Sequence, residues 1–208
     1  MDGTLTDTEK YYQEAWPKTM EHFGLKMTSE MALSLRSLGR PFVLDLFKEW
    51  YGDDVDYWAI REYRKSQMED ILKDRGIPLK KGCKEILSWC KENGIFVSLV
   101  TANDKERAHR YLKQIGLFEY FDAIVCADMV KRGKPAGDIY AYACETLGLS
   151  PAETFAVEDS PNGVKSAYAA GCNVIMIPDL TEPDEELKKL LYARLDSLFD
   201  LKELCQKE

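Results

Sequence analysis

The chain has 208 residues, 45% apolar and 31% charged, which suits one sizeable hydrophobic core or a core with a small companion domain and argues against disorder. Thirty-six acidic against twenty-eight basic residues leave a formal charge of -8, so a general nucleic-acid or anionic-membrane surface is disfavoured and only local basic groups remain for anions. No apolar run approaches the roughly 20 residues of a membrane helix, and Met1 is not followed by the basic and apolar segments of a secretory signal; a cytoplasmic protein is expected.

The opening stretch, Met1-Asp-Gly-Thr-Leu-Thr-Asp-Thr-Glu9, reads as a tight loop carrying the carboxylate Asp2. Gly3 permits an unusual backbone angle and Thr4 supplies a short hydroxyl. Residues 10 to 78 then read as helices. Tyr12, Trp16, Met20 and Phe23 recur at helical spacing before Gly24, and Val43, Leu46, Phe47 and Trp50 repeat the pattern before Gly52. A short helix is expected around Glu30 to Leu38 and a longer one from Asp56 to Arg75, stopped by Gly76 and Pro78. The aromatic stripes are the packed core of a small all-helical unit.

After Pro78 helix and strand alternate. The apolar runs Ile95–Val100, Ala123–Ala127, Thr154–Val157 and Asn173–Ile177 are the expected strands, separated by helices that end at Gly94, Gly116 and Gly148. Ser160 and Pro161 are suited to cap and open the helix after the third strand, and the remainder beyond Pro178 reads as peripheral helices. This alternation predicts an α/β domain with a mostly parallel sheet covered on both faces.

The six cysteines form no Cys-x-x-Cys pair and fall mainly among apolar neighbours, so they are expected as buried cytosolic thiols rather than disulfides or zinc ligands. His22 and His109, the two histidines, sit in helical patterns as surface or helix-end residues.

Ligands of such sheets bind outside the carboxyl ends of the strands. There the chain places Thr101-Ala-Asn-Asp104, then Asp128 and Lys131-Arg-Gly-Lys-Pro135, then Glu158-Asp159-Ser160. With Asp2 these supply a hydroxyl, basic groups led by Lys134, and several carboxylates, an inventory that suits a phosphate held against Mg2+, which favours oxygen ligands. Singly, each has an ordinary structural explanation: a capping Thr101, a solvated Lys134, an acidic pair facing a helix dipole.

Four segments in order, Asp2-Gly-Thr-Leu-Thr-Asp7, Val100-Thr-Ala-Asn103, Gly133-Lys-Pro-Ala136 and Val157-Glu-Asp-Ser160, resemble the motifs of the haloacid dehalogenase-like hydrolase superfamily. The resemblance covers about Met1 to Pro178 and is closest to the branch of beta-phosphoglucomutase and phosphoglycolate phosphatase. It implies a Rossmann-like parallel sheet core with helices on both faces, residues 1–9 and 79–208, and an inserted helical cap, residues 10–78. It also implies an Mg2+-dependent phosphatase acting as a monomer on a small phosphorylated metabolite through an aspartyl-phosphate intermediate.

Residue by residue, Asp2 matches the general acid and base, whose main-chain carbonyl reaches the metal. Thr101 and Lys134 match the groups that hold the transferring phosphoryl, with Asn103 beside them, and Asp159 and Glu158 match the metal-binding carboxylates. Thr6, Asp7 and Thr8 would form the hinge; Arg36, Arg40 and Arg64 are either substrate contacts, Arg40 foremost, or plain surface charge.

Three departures stand out. The family's nucleophilic aspartate belongs two positions before Asp2, ahead of Met1, together with the central strand that delivers it; losing such a strand would cost more than the roughly 5 to 15 kcal/mol by which domains are stable. The expectation is therefore that the natural protein continues upstream of an internal methionine with an apolar run ending in Asp. Gly137 stands where a second proline is usual, loosening that loop, and Tyr12 stands where beta-phosphoglucomutase has a histidine. Tyr12 favours a phosphatase over the alternative sugar-phosphate mutase; a non-catalytic phosphometabolite-binding protein is the other alternative for the 208 residues as they stand.

Overall fold

The computed structural model describes residues 1–206; Lys207 and Glu208, the end of the expected core domain, lie outside the described residues. Helices α1 (Glu9–His22), α2 (Ser29–Ser34), α3 (Arg40–Tyr51) and α4 (Tyr57–Arg75) precede the first strand. Thr28 and Asp56 start α2 and α4 by accepting the amides of Met31 (3.2 Å) and Ala59 (3.0 Å), which satisfies donors that a helix leaves open at its first turn. Gly52 and Gly76 end α3 and α4 with φ of 87° and 75°, a region open to glycine without steric cost.

The apolar stripes of these helices converge as their spacing predicts. Trp16, Met20, Val43, Phe47 and Ile60 form one buried cluster, centred on Phe47, whose ring meets Tyr57 edge-on at 4.9 Å. Burying a side chain of that size contributes about 1.5–3 kcal/mol. Tyr11 and Ala15 of α1 and Met68 and Leu72 of α4 instead join the cluster that contains Leu99, Leu112 and Ile175, so the helices stand on the sheet side through their lower turns.

The rest alternates: α5 (Cys83–Glu92), β1 (Ser98–Thr101), α6 (Lys105–Gln114), β2 (Ala123–Cys126), α7 (Asp138–Leu147), β3 (Phe155–Glu158), α8 (Pro161–Ala169), β4 (Asn173–Met176), α9 (Glu185–Lys188), β5 (Ala193–Arg194) and α10 (Leu198–Cys205). Every strand pairing is parallel, with Thr101 opposite Cys126, Glu158 opposite Met176 and Ile175 opposite Ala193. Ile139, Tyr140, Val164, Ala167 and Val174 form the buried cluster between α7, α8 and the strands.

Two sequence expectations change. The first strand starts at Ser98 rather than Ile95: Ile95 and Phe96 are exposed, and Val97 is held by Asp122, whose carboxylate accepts its amide at 2.8 Å. The segment beyond Pro178 contains β5 as well as helices; two residues carry no periodicity, and β5 is held by backbone bonds from Tyr192 to Val174 and from Leu195 to Met176.

The parallel strands do not make one continuous sheet. They form a two-stranded sheet of β1 and β2 and a three-stranded sheet ordered β3, β4, β5. Among the described residues β1 pairs only with β2, while β3 pairs with β4. A cavity of about 420 Å³ reaches both inner strands and is lined by apolar side chains including Leu99, Phe155, Val157, Ile86 and Leu198, with Met1 also on its wall. Both inner strands thus border an apolar space.

Cys83, Cys126, Cys144 and Cys172 are buried free thiols, Cys90 is a half-buried one, and Cys205 is half-buried. No helix among the described residues is long and apolar enough to cross a membrane.

Candidate active site

The opening loop is a compact turn whose shape depends on Gly3. The amides of Leu5 and Thr6 donate to the Met1 carbonyl at 2.8 and 3.1 Å, and Gly3 donates to Thr6 at 2.8 Å. Gly3 has φ of 74°, and a Cβ there would lie 2.4 Å from Asp159 Oδ2. Only glycine allows the loop to adopt this angle and approach Asp159 so closely. Thr4 next to it donates its hydroxyl to Asp159 Oδ1 at 3.0 Å.

Asp2 is held from two sides. Thr8, at the start of α1, donates to Asp2 Oδ1 at 2.6 Å instead of capping its own helix, and Asn103 Nδ2 donates to Asp2 Oδ2 at 2.7 Å. Thr8 also shares a 2.9 Å hydrogen bond with Thr6, so the expected hinge is tied to the carboxylate through buried hydroxyls. Asn103 donates a second bond to the Thr101 hydroxyl at 3.2 Å, joining the ends of two motifs distant in sequence.

Lys134 is buried, and its Nζ donates to Glu158 Oε1 at 2.5 Å and to the Val100 carbonyl at 3.4 Å. Tyr140 donates to the same Glu158 oxygen; burial, then the charge of Glu158, pushes its phenol well above the ordinary range, so it stays a neutral donor. The other oxygen of Glu158 lies against Gly163, where a Cβ would be 1.9 Å away. The carboxylate of Glu158 is thus turned to Lys134, Tyr140 and the first turn of α8.

Asp159 is buried with a different environment. Its Oδ2 has no hydrogen-bond partner, and the nearest cation, Arg36 Nη1, stands 3.8 Å away. Burial, reinforced by the charge of Glu158, pushes its pKa up to about 6. An orphaned buried carboxylate oxygen beside the Asp2 loop fits a hard divalent cation, because such an ion would satisfy the oxygen and offset the burial cost. Among the described residues no cluster of three or more His, Cys, Asp or Glu has metal-binding geometry by side chains alone.

All seven expected site residues, Asp2, Arg40, Thr101, Asn103, Lys134, Glu158 and Asp159, line one cavity of about 120 Å³. Arg40 is exposed at its rim, whereas Arg36 is buried and donates to Thr181 at 2.6 Å. The loop before α3 is fastened over the site: Asn162 donates to the carbonyls of Ser34 (3.0 Å) and Arg36 (2.9 Å), and Gly39 donates to that of Lys134 at 2.7 Å. Neither histidine lines the cavity; His22 stacks on Tyr63 at 4.0 Å.

Sequence reasoning passed over Glu9 and Arg107, which also line the cavity. Glu9 is buried, and burial followed by the charges of Asp159 and Asp2 raises its pKa well above the carboxylate range. Its position two residues after Asp7, at the first position of α1, was the available signal. Arg107 looked like an ordinary charged helix residue, and only the packing of α6 shows it sheltered. Gly137 is also explained differently: a Cβ there would lie 2.8 Å from the backbone of Ala169 and Ala170, so close packing on α8, not a loosened loop, calls for glycine.

Residues 1–177 match the model of the haloacid dehalogenase-like hydrolases. The chain belongs to this family. Among its haloacid dehalogenase-like relatives, hexitol phosphatase A of Escherichia coli is 32% identical over 197 residues, 91% of this chain and 88% of that protein. The phosphorylated carbohydrates phosphatase of Thermotoga maritima is 30% identical over 177 residues, 82% of this chain and 79% of that one. The solved structure of CbbY from Rhodobacter sphaeroides in complex with phosphate superposes with a TM-score of 0.81 at 26% identity, covering 97% of this chain and 93% of that one. The chain is also similar to the protein CbbY of Rhodobacter capsulatus, 29% identical over 189 residues, 86% of this chain and 82% of that one.

Proposed function

We propose that this chain is a magnesium-dependent phosphatase of small phosphorylated metabolites, sugar phosphates foremost, converting a phosphate monoester and water to an alcohol and inorganic phosphate. The supporting observation is the convergence on one cavity of Asp2, Thr101, Lys134 and the orphaned Asp159 Oδ2. The relatives named above as phosphatases support the same reaction class.

Asp2, oriented by Thr8 and Asn103, is the acid that protonates the leaving oxygen and the base that then takes a proton from water. Thr101 and Lys134 hold the phosphoryl oxygens, and the Glu158 and Tyr140 contacts aim the ammonium. Asp159 and the main-chain oxygen of Asp2 would hold Mg2+, with Glu158 beside them. When bound, the ion supplies charge neutralisation at the phosphoryl oxygens. Residues 10–78 act as the cap over a core of residues 1–9 and 79–208, excluding water and selecting substrate.

In this reading the apolar space reached by β1 and β3 would accept a further extended segment, whose end would set a nucleophilic aspartate beside Asp2. The apolar cavity there, lined by residues of both β1 and β3, supports this placement. A carboxylate nucleophile divides the hydrolysis into two easier steps through an aspartyl-phosphate.

A second reading, phosphometabolite binding without turnover, is favoured for residues 1–208 alone by how the cavity's carboxylates are used. Asp2 is engaged by Thr8 and Asn103, Glu158 by Lys134 and Tyr140, and Asp159 by Thr4. The test compares this chain with one extended ahead of Met1 by an apolar strand ending in Asp, in both Asp and Asn forms. Mg2+-dependent hydrolysis of an aryl phosphate and of sugar phosphates is expected only in the Asp form. Equal turnover by the 208-residue chain would refute the nucleophile assignment, and no turnover in any form would leave binding as the function.

A further inference from the structure

Arg36 is a buried cation of the cavity wall to which the hydrolysis gives no task. It lies two residues beyond α2, between Leu35 and Leu38, whose side chains join the cluster around Phe47. Ser37 takes a φ of 58°, a left-handed angle uncommon for a residue with a side chain, and the Leu38 amide donates to the Leu35 carbonyl at 3.1 Å. In this tight turn the leucines stay with the helices, while Arg36 faces Asp159, just past the end of β3.

The two charges meet without satisfying each other. Arg36 Nη1 stands 3.8 Å from Asp159 Oδ2, with the side chains only 2% and 3% exposed, yet Oδ2 and the Nη1 and Nε groups of Arg36 all lack a hydrogen-bond partner. Nη2 alone donates, to Thr181 at 2.6 Å. Among the described residues no other carboxylate forms an ion pair with Arg36, and the second buried cation at the strand ends, Lys134, is committed to Glu158. The contact therefore has the attraction of a buried ion pair but lacks the hydrogen bonds that normally offset desolvation. A divalent cation at Oδ2 would bring twice the charge and direct coordination, and at this range it would repel the guanidinium.

The backbone on either side of Arg36 is fastened to the same place. Asn162, three residues after Asp159, donates to the carbonyls of Ser34 and Arg36. Gly39 donates to the Lys134 carbonyl at 2.7 Å, in an approach so close that a Cβ on Gly39 would lie 2.2 Å from the Arg132 carbonyl oxygen. Residues 35–40 thus form one wall of the cavity that holds Asp2, Thr101 and Asp159. A segment held by a few polar contacts opens more readily than the apolar cluster behind it.

We propose that Arg36 is a positioning residue that competes with Mg2+ for Asp159 Oδ2: while Arg36 supplies the counter-charge, the loop of residues 34–39 is latched over the site, and when the ion takes that place the loop is released. A ligand shifts such an equilibrium only by its differential affinity for the two states. Mg2+ therefore binds more tightly with the loop released, and by reciprocity anything that loosens the loop raises Mg2+ affinity. This deepens the phosphatase reading and rests on it for the metal site, not for turnover.

The experiment titrates Mg2+ by calorimetry into the 208-residue chain, Arg36→Gln and Asn162→Ala, and follows amide hydrogen exchange at Gly39 with the ion present and with divalent cations chelated. In the unmodified chain Mg2+ should speed exchange at Gly39 several-fold. Arg36→Gln should bind Mg2+ about tenfold more tightly, with exchange at Gly39 fast whether or not the ion is present. Asn162→Ala keeps the charge and loosens only the backbone, so it should raise Mg2+ affinity by a smaller factor; a role of Arg36 in stability alone would leave that affinity unmoved. This variant also decides the matter should Arg36→Gln fail to fold. Equal Mg2+ affinity in all three proteins, or binding that leaves Gly39 exchange unchanged, overturns the proposal and leaves the metal site standing. No Mg2+ binding by any of the three overturns the metal site and the latch together.

Discussion

Lys134 and Glu158 form a buried ion pair, with Nζ 2.5 Å from Oε1 and side chains only 4% and 3% exposed. Each comes from a different motif, and neither could be buried alone without a large desolvation cost. The pair therefore couples the loop that presents the ammonium to the strand end that presents Asp159.

Lys134→Ala is expected to destabilise the chain by about 3–5 kcal/mol, because it leaves Glu158 charged and buried with Tyr140 as its remaining donor. Lys134→Met combined with Glu158→Gln should recover much of that loss while phosphate binding stays absent. Urea denaturation of the two variants checks it; equal destabilisation would show that the pair is not coupled.

The pH dependence of stability has a definite sign. Asp159 in the folded chain has its pKa pushed up to about 6, above the unfolded value near 4. The folded state therefore holds the extra proton between these values, and stability falls as pH rises through the window, by on the order of 3 kcal/mol with divalent cations chelated. Glu9 acts in the same direction. Glu9→Gln should be more stable than the unmodified chain at pH 7, by a few degrees in Tm, and show a shallower decline. Added Mg2+ should stabilise the chain at pH 7 and have little effect at pH 4.5, where Asp159 holds its proton. Thermal denaturation across pH 4 to 7 reads all three, and a rise of stability through that window would contradict the assignment.

Gly3→Ala tests the closeness of the opening loop to Asp159. The left-handed backbone angle costs a non-glycine residue about 1–2 kcal/mol, and the added methyl would collide with Oδ2, which lies 2.4 Å from its position. The variant should fold with modestly lower stability and lose Mg2+ affinity by at least tenfold, measured by calorimetry. Unchanged Mg2+ binding would remove Asp159 Oδ2 from the metal site.

Hydrophobic spacing and punctuation were enough to read the alternation of α5 through β4, the helices before it and the capping role of Ser160, which accepts the Gly163 amide at 3.3 Å. These are local effects, settled by which residues can bury one face of a helix or strand. The polar residues at the strand ends were legible for a related reason. A parallel sheet brings its carboxyl ends to one edge whatever lies between them, so the motif ends carrying Thr101, Lys134 and Asp159 are brought together by topology, with Asp2 beside them.

Tertiary structure alone decided the rest, because burial and charge depend on neighbours remote in the chain. Arg107 and Arg64 carry the same formal charge as the exposed arginines; only packing against Tyr12 and Trp16 strips their water and leaves their donors open. Glu158 and Asp159 are adjacent in sequence, yet one is turned to Lys134 and the other to the Gly3 loop. The sequence by itself determined the family, the order of elements and the residue types at the site; which carboxylate is free, which cations are sheltered and where the sheet divides were set by three-dimensional packing, since desolvation is a property of the assembled environment and not of a residue.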